Sequence, residues 1–283
     1  MCLIAFAWGA DERFPFVVAA NRDEFLTRPT VPLSQWISPG GACVLAGRDL
    51  RDGGTWMGFS PNGRFAMLTN VRDPKATPPE HAISRGSLPL AWLESQLQVH
   101  AWSQSIEPHR YAGFNLLVGD WTSKQCHYLS NQYISKAFEH IAGIKYEAFA
   151  IKLVANEVPW GECYGLSNAA LNTPWPKTQF VKTALSESLT CENAEQLTRR
   201  NLQALSQSIK PEDSELPSTG VLLELERALS SPFVSHPQAQ PNYGTRTSLV
   251  AVFQAGMGLS VTEVTHSHQG SHPLRLHQRL DWR

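Results

Sequence analysis

The sequence has little charge and no long hydrophobic run. Of its 283 residues, 17% are charged, and the formal net charge is -1. A nearly neutral chain lacks the positive field that attracts nucleic acid or anionic membranes, so we exclude both as partners. No apolar run approaches the roughly 18 residues of a membrane span. Acidic and basic residues at positions 11–13 interrupt the first apolar run too early for a secretory signal.

Cysteine pairs and metal-binding motifs are also missing. The five cysteines are odd in number, widely spaced and contain no C-x-x-C pair, which is typical of reduced thiols in the cytoplasm. Three histidines near the C-terminus, His266, His268 and His272, fit no ligand spacing that we can defend. We therefore predict no metal site. Because the sequence has no internal repeat and no low-complexity segment, we expect residues 1–283 to form a single domain.

The apolar runs are short, and strand patterns and helix patterns occur in separate blocks. Leu3 to Trp8 and Phe16 to Asn21 predict a hairpin, and Pro61-Asn62-Gly63 predicts a tight turn between two further strands. Residues 29–41 read as a Pro-rich loop, and Lys136 to Leu153 is expected to add strands. Helices are expected near residues 88–99, 173–189, 195–209 and 221–229, before a final hairpin. This grouping favours an α+β layered fold over regular βαβ alternation.

Cys2 is the first candidate for chemistry. If Met1 is removed, the thiol and a free α-amine share one Cα, so a single residue carries a nucleophile and a base. The reference pKa values are about 8.5 for the thiol and about 8 for the amine, so the two groups exchange a proton near neutral pH. The alternative is that Cys2 is a small buried hydrophobe, which is common for free cysteine.

Polar residues cluster where the second predicted strand ends. Asn21, Arg22, Asp23 and Glu24 follow its apolar part, and charges at a strand end can steady a thiolate or bind an anionic group. The alternative is a solvated loop with Arg22 paired to a carboxylate. Trp56 follows a glycine-containing loop that enters another strand.

Two asparagines and an arginine end further short runs. Asn70, Asn168 and Arg246 each follow small or apolar residues. An Asn at a strand end can donate a hydrogen bond to an oxyanion, with a contribution of roughly 2.7–4 kcal/mol where one such donor has been measured. The alternative is that each Asn forms a turn.

Several of these segments, taken in order along the chain, resemble those of a known family. The matching segments are Met1-Cys2, Ala20 to Phe25, Arg28-Pro29, Gly53 to Gly58, Leu68 to Asn70, Gly113 to Leu116, Tyr164 to Asn168, Thr173 to Trp175 and Tyr243 to Thr247. Together they closely resemble the NRDE family, which includes the transport and Golgi organisation protein 2 homologues of eukaryotes. The resemblance runs nearly end to end and in the same order.

The resemblance implies an N-terminal-nucleophile (Ntn) hydrolase-like fold, a four-layer αββα sandwich in which two antiparallel sheets lie between helical layers. The family is also similar to the choloylglycine hydrolase and penicillin V acylase group, whose substrates are amides. By that similarity, Cys2 would be nucleophile and base. Arg22 would hold the thiolate or amine, Asn70 and Asn168 would face the oxyanion, and Arg246 would support the site.

One position departs from the hydrolase pattern. That group has an Asp three residues after the Arg, where this sequence has Phe25. Asp23 or Glu24 would have to orient the amine instead. We include both, with Asn21 and Trp56, as supporting or substrate-binding residues.

Two functions remain open. The first is hydrolysis of a linear C–N amide bond in an acylated small molecule, which needs no cofactor. The second is a non-catalytic protein that binds or moves haem or an acyl ligand in the same cleft. Nine tryptophans and twelve phenylalanines could line an apolar pocket for such a ligand.

Overall fold

A computed structural model describes residues 2–131, 153–236, 242–266 and 273–282. These residues form two antiparallel sheets with helices outside them. The strands are β1 Cys2–Trp8, β2 Phe16–Phe25, β3 Thr30–Ile37, β4 Cys43–Asp49, β5 Met57–Phe59, β6 Arg64–Asn70, β7 Phe114–Asp120, β8 Gln125–Ser130, β9 Asn156–Glu157, β10 Glu162–Leu166, β11 Ser235–His236, β12 Tyr243–Gln254, β13 Gly258–Thr265 and β14 Leu274–Leu280. The α-helices are α1 Ser87–Glu94, α2 Val99–Ser103, α3 Pro176–Ser188, α4 Ala194–Leu205 and α5 Leu223–Leu229.

The first sheet places the N-terminal strand in its interior. Its order is β10-β1-β2-β12-β13-β14, and β11 pairs with β12. In the β1–β2 hairpin, Cys2 lies opposite Arg22, and Trp8 lies opposite Phe16. Between β2 and β12 the register shifts between Thr245 and Thr247, so a β-bulge lies in β12 at the level of Cys2, with β2 between the bulge and the start of β1.

The second sheet follows chain order from β3 to β9. Its edge strand β3 corrects one expectation, because residues 30–37 are a strand and not part of a loop. Pro32 is tolerated there because proline has no N–H to donate to a neighbouring strand, and a residue in an edge strand or a bulge does not need to donate one. The β3–β4 register shifts between Val31 and Ser34, around that proline.

Three separate cores define four layers. Alternate residues of β1, including Phe6 and Trp8, pack between the two sheets against residues such as Phe65. The other face of the first sheet packs on α3 and α4. The outer face of the second sheet packs on α1 and α2. The α+β, αββα sandwich expected from the resemblance is therefore confirmed.

Most predicted elements are confirmed, with shifted ends. The first hairpin, the turn at residues 61–63 and the last hairpin all form, and the tail after Pro273 adds the edge strand β14. The helix expected over residues 88–99 is split into α1 and α2. Further strands were expected over Lys136 to Leu153, and all of this segment except Leu153 lies outside the described residues.

The second strand is longer than its apolar part. We expected Asn21, Arg22, Asp23 and Glu24 to follow the strand, but all four lie within β2. The first three are at most 5% exposed. The segment is therefore not a solvated loop, although Arg22 does pair with a carboxylate, that of Asp49, as this interpretation expected. Within the described residues, no helix is long and apolar enough to cross a membrane.

Candidate active site

A cavity opens where β1 begins and where β2 and β6 end. Its volume is about 270 Å³, just below the roughly 300–1,000 Å³ of typical ligand pockets. The lining residues that carry polar or aromatic side chains are Cys2, Arg22, Asp23, Glu24, Arg28, Asp49, Asp52, Thr55, Trp56, Asn70, Ser84 and Arg85. Six of the nine site residues expected from the sequence are among them.

Cys2 lies at one end of the space between the sheets. Because side chains alternate along a strand, Cys2 shares a face with Ile4, Phe6 and Trp8, which are in the inter-sheet core. Its exposed fraction is 9%. Burial raises the pKa of the Cys2 thiol above its usual value, the nearby Asp23 carboxylate adds to the increase, and the positive charge of Arg22 opposes it. At neutral pH the thiol is therefore protonated and needs a base before it can attack.

Arg22 is the buried cation beside Cys2. It is 5% exposed, its guanidinium lies 4.0 Å from the centre of the Trp56 ring, and its Nη2 is 3.7 Å from a carboxylate oxygen of Asp49. No described residue accepts a hydrogen bond from its buried Nη1. A buried donor without an acceptor costs about 1–3 kcal/mol of stability, and native proteins contain only a few such groups.

Asp49, the last residue of β4, and Asp52 just after it balance the positive charge of the site's arginines. Arg28 donates to Asp49 and to Asp52, each at 2.5 Å. Burial raises the pKa of Asp49, but hydrogen bonds from Arg28 and from the backbone of Asp52 and Arg51 outweigh burial and lower it below its usual value. Sequence reasoning missed these acidic residues because they lie far along the chain from Arg22. The mixed charges just before Gly53, from Arg48 to Asp52, were the only available signal.

Asp23 belongs to the opposite face of the first sheet. Its Oδ1 accepts a 2.7 Å hydrogen bond from Thr245, and buried Lys177 of α3 influences it electrostatically. Burial raises the pKa of Asp23, while the charges of Lys177 and Arg72 lower it. Burial also lowers the pKa of Lys177 to about 8, against the opposing effect of Asp23. Asp23 nevertheless reaches the cavity edge.

The two asparagines hold the sheets together near Cys2. Asn70 lines the cavity. Asn168, which is 1% exposed, donates to the Asn70 carbonyl at 2.8 Å, and its own carbonyl accepts from the Arg72 N–H at 2.7 Å. Ser167 donates to the Cys2 carbonyl at 3.2 Å. Asn168 therefore fixes the end of β6 next to the start of β1. It is not among the described residues that line the cavity, where the resemblance had placed it facing the oxyanion.

Asn115 reinforces this junction and was missed as a site residue. Its Nδ2 donates to Thr69 at 3.1 Å and to the Ala169 carbonyl at 2.8 Å, and Tyr128 donates to its Oδ1 at 2.7 Å. Asn115 belongs to one of the segments that carry the resemblance. Nothing in that segment shows that a side chain of β7 would reach across to the first sheet.

Two expected site residues lie beside the cavity in supporting positions. The Asn21 carboxamide donates to the carbonyls of Leu205 and Pro232, both at 2.8 Å, so it joins β2 to the helical layer. Arg246 is at the bulge of β12 and donates to the main-chain carbonyls of Phe25 and Arg28. Arg246 thereby holds the chain reversal that presents Arg28.

Ligand binding by the same cleft stays a prediction. Trp56 is the one aromatic side chain among the residues that line this cavity. Of the three C-terminal histidines, His266 contacts Ser248 at 2.8 Å and lies edge-on to Phe233. His268 and His272 are outside the described residues.

The fold and the site together define a class: a four-layer αββα protein with a cysteine at the start of an interior strand, in a charged cleft. The family model described as Transport and Golgi organisation 2 matches residues 1–268. The chain belongs to this family, and the resemblance noted from the sequence is confirmed.

Curated relatives cover nearly the whole chain. The Transport and Golgi organization protein 2 homolog of Bos taurus is 31% identical, over 97% of this chain and 96% of that protein. The Homo sapiens homolog is 29% identical, over 93% and 92%.

Solved structures are similar at lower levels. A Caenorhabditis elegans ortholog of N-acylethanolamine-hydrolyzing acid amidase is 13% identical, with a TM-score of 0.47 over 89% of this chain and 92% of that chain. The C2A mutant of a conjugated bile acid hydrolase from Clostridium perfringens is 8% identical, with a TM-score of 0.41 over 100% and 97%. At these similarities neither structure bears on the site or the reaction.

Proposed function

We propose that the protein hydrolyses a linear C–N amide bond of an acylated small molecule, with Cys2 as nucleophile after removal of Met1. One observation carries the proposal. Cys2 shares a cavity with Asn70 and with Arg22, a buried arginine one of whose donors has no acceptor among the described residues. Protein stability alone does not explain a thiol, a buried unsatisfied guanidinium and a carboxamide at one spot.

The base in this reaction is the α-amine of Cys2 itself. Burial raises the pKa of the thiol, so the thiol needs a proton acceptor within reach. A free terminal amine has a reference pKa of about 8 and shares its Cα with the thiol. A terminal residue that supplies both the nucleophile and the base is a known variant of the catalytic triad, in which two separate residues have these roles.

Asp23 is the better of the two candidates for orienting that amine. Since β1 and β2 are antiparallel and Cys2 pairs with Arg22, the nitrogen of Cys2 points toward the level of Asp23. Glu24 instead accepts a 2.8 Å hydrogen bond from the N–H of Phe25. Asp23 therefore takes the role that the related hydrolases give to an Asp two positions further along.

The reaction then proceeds in two halves. The amine takes the thiol proton, Cys2 Sγ attacks the substrate carbonyl, and the tetrahedral oxyanion is stabilised by Asn70, which Asn168 holds in place. The C–N bond breaks, the leaving amine receives the proton, and a thioester remains on Cys2. Water, deprotonated by the same amine, attacks the thioester and releases the carboxylic acid and the free thiol.

Intact-mass spectrometry and an amide panel test the proposal. We expect a chain without Met1 that releases amine from at least one of a set of N-acyl amino acids, acyl-homoserine lactones and penicillin V. Cys2→Ala should abolish release. The matched control, Cys163→Ala, replaces a partly buried thiol that lies outside the cavity and should leave release unchanged. Retention of Met1, or equal release by Cys2→Ala, would contradict the proposal.

A further inference from the structure

Arg85 is a cation of the cavity to which the reaction steps above assign no role. It lies in the segment before α1 and lines the same cavity as Cys2. Burial lowers the pKa of Arg85, and the negative charges of Glu24 and of the Cys2 thiolate oppose that change. Arg85 is therefore close enough to Cys2 for a charge on one to act on the other.

The guanidinium of Arg85 is oriented but not neutralised. Its Nη1 donates to the main-chain carbonyl of Gly113 at 3.0 Å, which leaves its remaining N–H groups available. In the described part of the chain, no carboxylate lies within the 4.0 Å of an ion pair with Arg85. The other cavity arginines differ, because Arg28 pairs with Asp49 and Asp52 and Arg22 lies 3.7 Å from Asp49.

The backbone that carries Arg85 is held firmly. Gly86 accepts a 3.0 Å hydrogen bond from the Thr55 N–H. A Cβ on Gly54 would lie 2.4 Å from the Gly86 carbonyl, so the glycine allows the two segments to touch. Ile83 pairs with Tyr111 in an isolated bridge. Arg85 is thus preorganised on a fixed support, as binding residues need to be.

We infer that Arg85 binds a carboxylate of the substrate, so that the preferred amide carries an acid group within reach of the Cys2 thiol. This inference names the class of substrate for the proposed reaction, and it therefore rests on the proposed function. A planar guanidinium with free N–H groups matches a carboxylate through two parallel hydrogen bonds.

The charge of the cavity favours a single negative charge on the ligand. Asp23, Glu24, Asp49 and Asp52 already line it. A dianion such as a phosphate monoester would double both its attraction to the three lining arginines and its repulsion from these four carboxylates, and the carboxylates outnumber the arginines. Glu24 competes for Arg85 from a distance beyond ion-pair contact, so its removal should strengthen carboxylate binding.

A pair of alkylating reagents tests this without any need for hydrolysis. Iodoacetate and iodoacetamide are nearly equal in size, and both react when the thiolate sulfur displaces iodide to form a thioether. We compare the rates at which the two reagents alkylate Cys2 and divide their ratio, iodoacetate over iodoacetamide, by the same ratio for free cysteine. This normalised ratio measures how strongly the cavity binds the anionic reagent. Peptide mapping separates Cys2 from the other cysteines. We expect a normalised ratio of about 10, the scale of one charge-assisted hydrogen bond.

Variants assign the effect to Arg85. Arg85→Gln should return the ratio to about 1, Arg85→Lys should keep part of it, and Glu24→Gln should raise it. Arg279→Gln removes one exposed positive charge on the edge strand β14, and it should leave the ratio unchanged. A normalised ratio of 1 in the wild-type protein, or a raised ratio that survives in folded Arg85→Gln, would overturn the inference.

The two proposals fail separately. If the normalised alkylation ratio is raised and depends on Arg85, but the protein hydrolyses no amide, the proposed reaction is wrong and the carboxylate site stands. If the protein hydrolyses N-acylglycines and their neutral glycinamide analogues with equal kcat/KM, the carboxylate site is wrong and the proposed reaction stands.

Discussion

The β1–β2 hairpin differs completely from one end to the other. At the far end Trp8 faces Phe16, and both lie in an aromatic cluster with Phe65 and Trp282. At the near end Cys2 faces Arg22, and the inter-sheet space holds charges, one of them an unsatisfied donor. The same two strands therefore build core at one end and a reactive cleft at the other.

This difference indicates where stability is sacrificed. Aromatic burial at the far end contributes strongly to folding, whereas buried charge at the near end costs desolvation. An end that costs stability and is nevertheless built with such specific contacts is expected to serve function. Truncating the aromatic end should therefore cost stability, whereas removing the unsatisfied cation Arg22 at the cleft end should cost little.

The largest effect is expected at the aromatic end. Trp8→Ala should lower the free energy of unfolding by about 3–5 kcal/mol, because it leaves a large cavity between the sheets. Urea denaturation measures this. The matched control is Trp160→Ala, which removes a 45% exposed tryptophan that packs edge-on against Trp8. It should cost much less, and equal losses would refute the assignment of the core to this end.

The Asp49 ion pairs should give the next largest effect, with a definite pH dependence. Because Asp49 has a lowered pKa in the folded protein, its contribution is present above the unfolded value of about 3.9 and is lost as pH falls through the folded value. Asp49→Asn should lose about 2 kcal/mol of stability at pH 7.

The loss caused by Asp49→Asn should shrink toward zero near pH 2. Urea denaturation across this pH range measures it. Asp213→Asn, which removes an exposed ion pair with Arg227, is the control and should show no measurable loss. A loss for Asp49→Asn that is the same at pH 2 and pH 7 would contradict the ion-pair explanation.

A smaller effect on stability is expected at Arg22. Arg22→Met keeps the side-chain volume and removes an unsatisfied buried charge, while Asp49 retains Arg28. The free energy of unfolding should change by less than about 1 kcal/mol or should rise. Alkylation of Cys2 by iodoacetamide should slow at pH 8, because the cation that lowers the thiol pKa is gone. A loss above about 3 kcal/mol would show that Arg22 is a structural residue.

The last prediction concerns the pH dependence of Cys2 alkylation. In a chain that retains Met1, the rate of Cys2 alkylation should rise with pH to a midpoint above the ordinary thiol value of about 8.5, because burial raises the pKa. Peptide mapping with free cysteine as the reference checks this. A midpoint below 8.5 would mean that the thiol is activated without its own amine.

Local sequence signals predicted the hairpins, the α+β class and the candidate residues Cys2 and Arg22, whereas the four-layer arrangement was implied by the family resemblance. Strand alternation and the Asn-Gly turn predict the hairpins, and the position of Cys2 together with Arg22 predicts the cleft. The pairs that complete the site join distant segments, such as Arg28 with Asp49 and Asn115 with Ala169. Such contacts depend on how the two sheets stack, which no short window of sequence records.

The burial of Asn21 to Asp23 was missed for a related reason. A run of polar residues is normally a solvated segment, and only the helical layer and the second sheet on either side of β2 make it interior. The β-bulge near Arg246 likewise depends on the β2–β12 register. These are the positions where local preference and tertiary structure disagree, and they surround the proposed reactive centre.

The most direct test is to trap the thioester. Acid quenching during turnover of an amide substrate, followed by mass spectrometry of the N-terminal peptide, should find a chain that begins at Cys2 and carries the acyl group on its thiol. Cys2→Ala should carry none. An N-terminal peptide that keeps Met1 and carries no acyl group while amine is released would contradict the proposed mechanism.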